Sequence, residues 1–309
     1  MRSNRLSVPL AAAALLLSAC GADAPTGPDS EEGLQVAAAF YPLAYAAELA
    51  GGEGVTVSNL TTPGVEAHDL ELSPQQIVAL TEADVVVYLE GFQPAVDDAI
   101  AQAGPAKVIE VSQFAELTEG PAGESDEGHA DEEEHTDLDP HFWLDPARLA
   151  DVTSAISEEL AAVAPEQAEK FAANASRGTD ELAVLDEEFT SGLAECERRE
   201  IFVAHAAFGY LTERYDLEQI SVAGLSPESE PSPARVAEVQ ALAREHGATT
   251  IFFESQASDA VAQSIAGDLG LKTAVLDPIE SVGPDSAGQD YPSIMRANLQ
   301  AIRDANGCS

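Results

Sequence analysis

Short apolar runs alternate with amphipathic stretches along most of the chain. Eight of these runs are rich in aliphatic, β-branched or aromatic residues and are bounded by glycine, proline or charged residues, a pattern typical of buried strands. Helical patterns separate the strands, which predicts an α/β fold with parallel sheets flanked by helices on both faces. The predicted strands are 35–40, 55–60, 84–89 and 107–111 in a first block, and 200–204, 219–223, 249–254 and 273–276 in a second.

Helical patterns connect the strands within each block. Ser73 followed by Pro74 is a start signature, since serine caps a first turn and proline fits its first position. The predicted helices are 43–50 and 75–82 in the first block, and 233–245 and 258–269 in the second.

A long helical stretch separates the two blocks. Apolar residues recur at three- and four-residue steps from Leu149 to Val163, where Pro165 interrupts them, and again over 166–193. At 1.5 Å per residue the second run makes a helix roughly 40 Å long, which fits a rigid rod between two lobes better than a flexible linker. We therefore predict an N-terminal lobe over 34–146, a linking helical segment over 147–195 and a C-terminal lobe over 196–309.

The first residues have the pattern of a secretory signal. Arg2 and Arg5 precede a twelve-residue apolar run, which is short of the ~20 apolar residues that a membrane-spanning helix needs. The run ends in Leu-Ser-Ala-Cys, which resembles a bacterial lipobox in which Cys20 is acylated and becomes the first mature residue. We predict a signal peptide over 1–19 and a lipidated, solvated tether over 20–33. An ordinary signal with an incidental cysteine is the alternative.

Two cysteines remain once Cys20 carries lipid. Cys196 and Cys308 form an even pair in an oxidising compartment, which favours a structural disulfide between them. Two unrelated free thiols are the alternative.

The charge of the chain limits its partners. A formal net charge of −41 argues against nucleic acid as a partner, because there is no basic surface to neutralise phosphates. Most of these carboxylates are expected to be solvated surface groups that give solubility and attract cations.

One segment, 124–139, belongs to neither block. Nine of its sixteen residues are acidic, His129 and His135 lie among them, and it has no apolar period, so we expect a loop without regular structure. It could form a weak secondary metal site, or it could be a solvated insertion without function. Calorimetry with and without the segment distinguishes these alternatives.

Three of the six histidines lie where α/β proteins place binding residues. His68 follows the second predicted strand, His205 ends the fifth, and His141 precedes the linking helix. Asp277 ends the last strand, and ligands collect at the carboxyl ends of parallel strands. A single histidine is more often structural than a ligand, and His246, near a helix end, is expected to be solvated. Three imidazoles and one carboxylate nevertheless make a suitable tetrahedral set for Zn²⁺.

Five short motifs extend over nearly all of the predicted mature chain, and Asp-Pro-His-Phe-Trp-Leu-Asp-Pro at 139–146 is the most specific of them. The others are 64–69 with Ser-Pro at 73–74, 202–210, 252–256 and 275–278. In these motifs the chain resembles the zinc- and manganese-binding lipoproteins of bacterial ABC importers and their related adhesins. The resemblance implies two α/β lobes joined by a long helix with metal between them. By position it carries the ligand role onto His68, His141, His205 and Asp277.

The residue types at these positions favour zinc. Manganese-type relatives tend to have a carboxylate where this chain has His205, and three nitrogens with one oxygen suit Zn²⁺, whereas Mn²⁺ prefers more oxygen ligands. Ala67 stands where the family motif usually has proline. Glu66 and Glu254 lie beside the ligands in these motifs and are expected to orient the imidazoles, with a plain surface carboxylate as the alternative for Glu66.

The expected function is therefore capture of Zn²⁺ outside the cytoplasm and delivery to an ABC importer, with its permease and ATPase as partners. We expect a monomer that is attached to the membrane through Cys20 and is not an enzyme. The alternatives are a Mn²⁺ receptor, an adhesin or metal buffer with the same fold, and a zinc hydrolase. A hydrolase would need an open metal position and a placed general base.

Overall fold

The structure of the protein is a computed structural model that describes residues 33–120, 138–256, 258–284 and 286–309. The predicted signal peptide, nearly all of the tether with Cys20, and His129 and His135 of the acidic segment lie outside the described residues. Among the helices of the described residues, none is long and apolar enough to cross a membrane.

The first block forms a four-stranded parallel sheet. Its strands are β1 (Leu34–Ala38), β2 (Val55–Asn59), β3 (Val85–Tyr88) and β4 (Val108–Glu110), in the order β2-β1-β3-β4. The two central strands are apolar on both faces, as expected for a parallel sheet covered by helices. The connecting helices are α1 (Tyr41–Gly51), α2 (Pro74–Glu82), α3 (Pro94–Ala103) and α4 (Ser112–Ala115).

Two long helices follow the first block. They are α5 (Pro146–Val163) and α6 (Ala168–Gly192), which pack against each other and are separated by a short turn at Pro165. The 25 residues of α6 give a length of roughly 38 Å. This helix also contacts α1 and α10 (Tyr291–Asn306), so it lies along elements of both blocks. The predicted long helix is therefore confirmed.

The second block contains two pairs of parallel strands. β5 (Glu200–Val203) pairs with β6 (Glu218–Ser221), and β7 (Thr250–Phe253) pairs with β8 (Lys272–Val275), while β5 lies next to β7. The helices of this block are α7 (Gly209–Arg214), α8 (Pro233–Glu245), α9 (Ala260–Leu269) and α10. The α/β fold class with parallel sheets is confirmed.

A disulfide fastens the end of the chain to the start of the second block. Cys196 and Cys308 are bonded, as predicted, across a sequence separation of 112 residues. Backbone hydrogen bonds reinforce the junction: the N–H groups of Glu197 and Arg198 both donate to the carbonyl of Asn306. The final helix is thereby held beside β5.

Candidate metal centre

Three histidines from distant parts of the sequence meet in one buried centre. His68 lies in the loop between β2 and α2, His141 lies just before α5, and His205 directly follows β5. The side chains of His141 and His205 are fully buried, whereas that of His68 is 13% exposed. These loops follow the carboxyl ends of parallel strands or precede a helix, as the sequence predicts.

The carboxylate that completes the cluster is Glu280, which the sequence analysis did not name. Its Oε1 lies 3.4 Å from Nε2 of His68, 3.4 Å from Nε2 of His141 and 3.7 Å from Nε2 of His205. One ligand atom from each of the four residues lies within 4.8 Å of all the others. The side chain of Glu280 is only 5% exposed.

The spacing of these atoms fits a tetrahedral zinc site. Zn–N and Zn–O bonds of about 2.0–2.1 Å in a tetrahedron place neighbouring ligand atoms about 3.3–3.4 Å apart. The three distances from Glu280 and the 3.5 Å between Nε2 of His141 and Nε2 of His205 are close to this value. Nε2 of His68 and Oε1 of Glu280 are buried without a hydrogen-bond partner in the described part of the chain. A bound cation would satisfy both atoms.

Asp277, the ligand predicted from the sequence, lies in the same loop but outside this cluster. Its Oδ1 accepts a hydrogen bond from the backbone N–H of Ile279 at 2.8 Å, and its Oδ2 accepts one from the hydroxyl of Ser255 at 3.1 Å. Both of its oxygens are thus engaged in shaping the loop, and burial raises the pKa of Asp277. The structure brings together His68, His141 and His205 as predicted, but it sets Glu280 rather than Asp277 against them.

The turn after Asp277 aims Glu280 at the histidines. Ile279 has φ of +59°, a conformation in which a β-branched residue is an outlier and which costs about 1–3 kcal/mol. The turn is held from outside: the indole N–H of Trp143 donates to the carbonyl of Pro278 at 2.7 Å. The backbone N–H of Tyr41 donates to the carbonyl of Glu280 at 3.3 Å. Strain in this turn is therefore offset by contacts that fix the direction of the Glu280 side chain.

A close backbone contact holds the loop that carries His68. The N–H of Gly64 donates to the hydroxyl of Ser281 at 2.8 Å. A Cβ atom on Gly283 would lie 2.7 Å from Cα of Gly64, so only glycine allows the two loops to approach this closely. Contacts between the first and second blocks thus place His68 beside Glu280.

Carboxylates also support the histidines from behind. Oδ1 of Asp139 accepts a hydrogen bond from Nδ1 of His141 at 2.7 Å, and Oε1 of Glu254 accepts one from Nδ1 of His205 at 2.5 Å. Both carboxylates are buried. Because each Nδ1 carries the donated proton, Nε2 of each ring is directed at the centre as a ligand. Glu254 was expected near the site, whereas Asp139 was not identified from the sequence.

Glu66 supports the backbone that carries His68. Its carboxylate oxygens accept hydrogen bonds from the N–H groups of His68 at 2.9 Å and of Asp69 at 3.1 Å. Together with Glu254, Asp277 and Glu280, it lines a small cavity beside the centre. This concentration of carboxylates gives the cavity a negative potential that attracts cations.

Burial and hydrogen bonding set the charges within the centre. Burial lowers the pKa of His141, but its hydrogen bond to Asp139 and the nearby carboxylate of Glu280 outweigh burial and raise the pKa from 6.5 to about 9. Burial raises the pKa of Glu280, yet the attraction of the nearby imidazoles of His141 and His68 holds it well below its ordinary value. At neutral pH an ionised Glu280 therefore faces a protonated His141, and a cation that binds this imidazole must displace its proton.

Both residues that sequence reasoning missed lie close to residues that it found. Glu280 is three positions after Asp277 in the loop that follows β8, and Asp139 is two positions before His141. The sequence shows that Glu280 and Asp139 lie near the predicted ligands. Their positions in the sequence do not show which carboxylate oxygens face the histidines.

Comparison with known proteins places the chain in a family. The model of the family described as "Zinc-uptake complex component A periplasmic" (ZnuA) matches residues 36–305. The "High-affinity zinc uptake system protein ZnuA" of Bacillus subtilis (strain 168) is 33% identical over 310 residues, which cover 96% of this chain and 95% of that protein.

Other relatives are longer than this chain or have solved structures. The "Zinc-binding lipoprotein AdcA" of Streptococcus pneumoniae serotype 4 is 32% identical over 279 residues, which cover 87% of this chain but 55% of that protein. The chain thus spans about half the length of the AdcA relatives. The solved structure of the laminin-binding protein Lmb of Streptococcus agalactiae matches with a TM-score of 0.77 and 27% identity, and the match covers 88% of this chain and 99% of that one. The family match and the relative from B. subtilis show that the chain belongs to the family of periplasmic component A of zinc-uptake complexes.

Proposed function

We propose that the protein is an extracytoplasmic receptor that captures Zn²⁺ through His68, His141, His205 and Glu280 and delivers it to an ABC importer. The observation that carries this proposal is the spacing of the four atoms: four of their six separations are 3.4–3.7 Å, close to the edge of a tetrahedral zinc site. The family match supports zinc uptake as the process in which the receptor acts.

The ligands come from both predicted lobes. His68 and His141 belong to the N-terminal lobe over 34–146, and His205 and Glu280 belong to the C-terminal lobe over 196–309. A cation held by all four is therefore bound between the lobes, where both blocks must be in place for the full set to form. This arrangement suits capture and release of an ion as cargo.

The donor set favours zinc over manganese. Three imidazole nitrogens and one carboxylate oxygen suit a tetrahedral Zn²⁺, whereas Mn²⁺ binds better with more oxygen ligands. Asp139 and Glu254 accept hydrogen bonds from Nδ1 of His141 and Nδ1 of His205, which fixes the ring orientation in which each Nε2 can bind the metal.

Capture is favoured over hydrolysis. A catalytic zinc site keeps a position open for water, usually with three protein ligands. Here one atom from each of four protein residues lies within 4.8 Å of the others. The three carboxylates beside them are all engaged in hydrogen bonds: Glu66 with the backbone of His68, Glu254 with the ring of His205 and Asp277 with Ser255. The described residues of this centre thus lack a free general base that is placed to activate a water.

Delivery requires partners and a location. We propose that the protein acts with a permease and an ATPase, as a monomer that is attached to the membrane by lipid on Cys20. Its family is periplasmic, and the AdcA relative carries the name lipoprotein. Labelling of wild type and Cys20→Ala protein with a radioactive fatty acid in the native host tests the anchor: only the wild type should incorporate label.

The zinc site itself is tested by mutation of His141. Full-length protein is stripped with chelator and titrated with zinc in competition with a chromophoric chelator. The wild type should bind one tight equivalent, and His141→Ala should lose it, because a buried ligand that touches Glu280 is removed. The control is His246→Ala, which changes a histidine that pairs with Glu200 on the surface of the second block. An unaltered tight equivalent in His141→Ala would refute the site.

Adhesion is a second candidate function. The solved structure of Lmb is described as that of a bifunctional protein with adhesin and metal transporting activity, and its fold matches this chain closely. Binding of the zinc-loaded protein to immobilised laminin tests this candidate. Binding no stronger than to albumin would exclude it.

A further inference from the structure

Tyr210 of α7 reaches from the second block to the chain around His141. Its side chain is buried, with 2% of its surface exposed. Its hydroxyl donates a hydrogen bond to the carbonyl of Asp139 at 2.8 Å and accepts one from the backbone N–H of Thr118 at 2.9 Å. One hydroxyl thus joins two separate segments that precede α5.

Asp139 transmits this contact to the metal centre. Its Oδ1 accepts hydrogen bonds from both the backbone N–H of His141, at 2.9 Å, and the ring Nδ1, at 2.7 Å. The ring cannot keep its direction if the backbone of Asp139 moves, because the same carboxylate oxygen holds both groups. Nε2 of that ring lies 3.4 Å from Glu280.

The hydroxyl of Tyr210 also lies where the chain before residue 121 meets the chain after residue 137. The N–H of Asp139 donates to the carbonyl of Thr118 at 2.9 Å, and Glu119 and Leu138 form an isolated antiparallel bridge. The chain that enters residues 121–137 and the chain that leaves them therefore meet directly beside the hydroxyl of Tyr210.

Two packing contacts fix the tyrosine in this place. The guanidinium carbon of Arg148 lies 4.7 Å from the centre of the Tyr210 ring, a cation–π contact. The preceding residue, Gly209, lies against the carboxylate of Asp139: an added Cβ would be 2.7 Å from Oδ2. α7 is thus fitted closely to Asp139 at two successive positions.

We propose that Tyr210 is a positioning residue of the metal centre, which acts through Asp139 to hold His141 in its zinc-binding orientation. This inference rests on the proposed zinc function. Through the hydroxyl of Tyr210, the orientation of His141, in the predicted N-terminal lobe, depends on the packing of α7, in the predicted C-terminal lobe. Loss of the hydroxyl removes the contact on the carbonyl of Asp139 and leaves its backbone held by Thr118 alone, while the ring of residue 210 still fills its place in the core.

The test compares two matched tyrosines. Tyr210→Phe removes the hydroxyl that holds Asp139, and Tyr215→Phe removes a nearby buried hydroxyl that donates to Asp186 on α6 at 3.0 Å instead. Zinc affinity is measured by chelator competition, and zinc release is measured by stopped-flow transfer to excess chelator. Tyr210→Phe should weaken zinc binding by about 3- to 10-fold, mainly through faster release, which is less than the 10- to 100-fold typical of direct supporting partners.

Tyr215→Phe should bind zinc like the wild type. Equal affinity of Tyr210→Phe and the wild type, or an equal loss in both variants, would overturn the inference. Failure of the wild type to bind zinc would instead refute the proposed function, so the two failures are distinct.

A double-mutant cycle tests whether Tyr210 acts through Asp139. Asp139→Asn should weaken zinc binding by about 10- to 100-fold. If the two act together, Tyr210→Phe should add little to the loss already present in Asp139→Asn. Fully additive losses would show that Tyr210 does not act through Asp139.

Gly209→Ala is a second test, which leaves the hydroxyl of Tyr210 in place. The added methyl group pushes on the carboxylate of Asp139, so this variant should also bind zinc more weakly. Wild-type affinity in Gly209→Ala would count against the inference.

Discussion

Two carboxylates, Glu280 and Asp277, lie three residues apart. Substitution of each in turn tests which one binds zinc: the geometry of the structure favours Glu280, whereas the sequence predicted Asp277. Glu280→Gln removes a buried negative charge that lies 3.4–3.7 Å from three imidazole nitrogens. Asp277→Asn removes a charge whose oxygens are engaged with Ile279 and Ser255. Both changes conserve shape, so neither variant leaves a cavity.

The expected losses differ by more than an order of magnitude. Removal of one member of a buried, hydrogen-bonded charge pair costs about 2–5 kcal/mol. Because glutamine retains a neutral oxygen donor, we take the lower part of that range, about 2–3 kcal/mol, which corresponds to a roughly 30- to 150-fold weaker affinity for zinc. Asparagine at 277 retains an oxygen that can accept from Ile279, so its loss should stay below about 1 kcal/mol, or roughly 5-fold.

The assay is competition with a chromophoric chelator at fixed pH and ionic strength, with stripped full-length protein. Circular dichroism and a thermal melt of each stripped variant show that the fold is retained. The opposite order of losses, with Asp277→Asn as the weaker binder, would refute the argument from the geometry of the loop and favour Asp277 as the fourth ligand.

Two further predictions follow from the centre and the disulfide. Because the pKa of His141 is raised to about 9, this ring is protonated at pH 7 in the metal-free protein and must lose its proton to bind zinc. Zinc binding at pH 7 should thus release a proton and strengthen as pH rises towards 9, and calorimetry in two buffers of different ionisation enthalpy should give different observed enthalpies; identical values would contradict this. Reduction of Cys196–Cys308 should lower the free energy of unfolding by about 3–5 kcal/mol, because a separation of 112 residues closes a long loop. Denaturant melts of oxidised and reduced protein measure this loss, and coincident curves would contradict it.

The sequence predicted most of the strands and helices, because the apolar patterns and the capping residues along the chain match the residues that are buried in the fold. All eight strands occur within two residues of the predicted bounds, and α8 occurs at the predicted residues. Helix α10 was not predicted, although Asp290 and Ser293 form a capping box at its start and Ile294 and Ile302 lie on its buried face. That helix bears on the site: the amide of Asn298 donates to the carbonyl of Asp277 at 2.7 Å and accepts from its N–H at 2.9 Å.

The three histidines could be predicted because their loops follow strand ends or precede a helix. The carboxylate that faces them could not, because the choice between Asp277 and Glu280 depends on the direction of one turn. That direction is set by Ile279 at φ of +59°, a conformation that sequence rules assign to glycine or asparagine and rarely to a β-branched residue. The conformation is imposed from a distance, by the indole of Trp143 on the carbonyl of Pro278 and by the backbone N–H of Tyr41 on the carbonyl of Glu280. Local sequence carries no signal for such tertiary contacts.

The buried carboxylates of the centre contribute both to its geometry and to its affinity for a cation. Four carboxylates in or beside it are almost fully buried, namely Asp139, Glu254, Asp277 and Glu280. Buried charge of one sign is costly unless it is paired, and the proton on His141 compensates only one unit of it. Exchange of that proton for a divalent cation adds one further positive charge at the point where Oε1 of Glu280 is without a hydrogen-bond partner among the described residues. Asp139 and Glu254, which orient two imidazoles, therefore also add to the negative potential that a divalent cation relieves. A substitution that neutralises either of them should weaken binding through charge as well as through position.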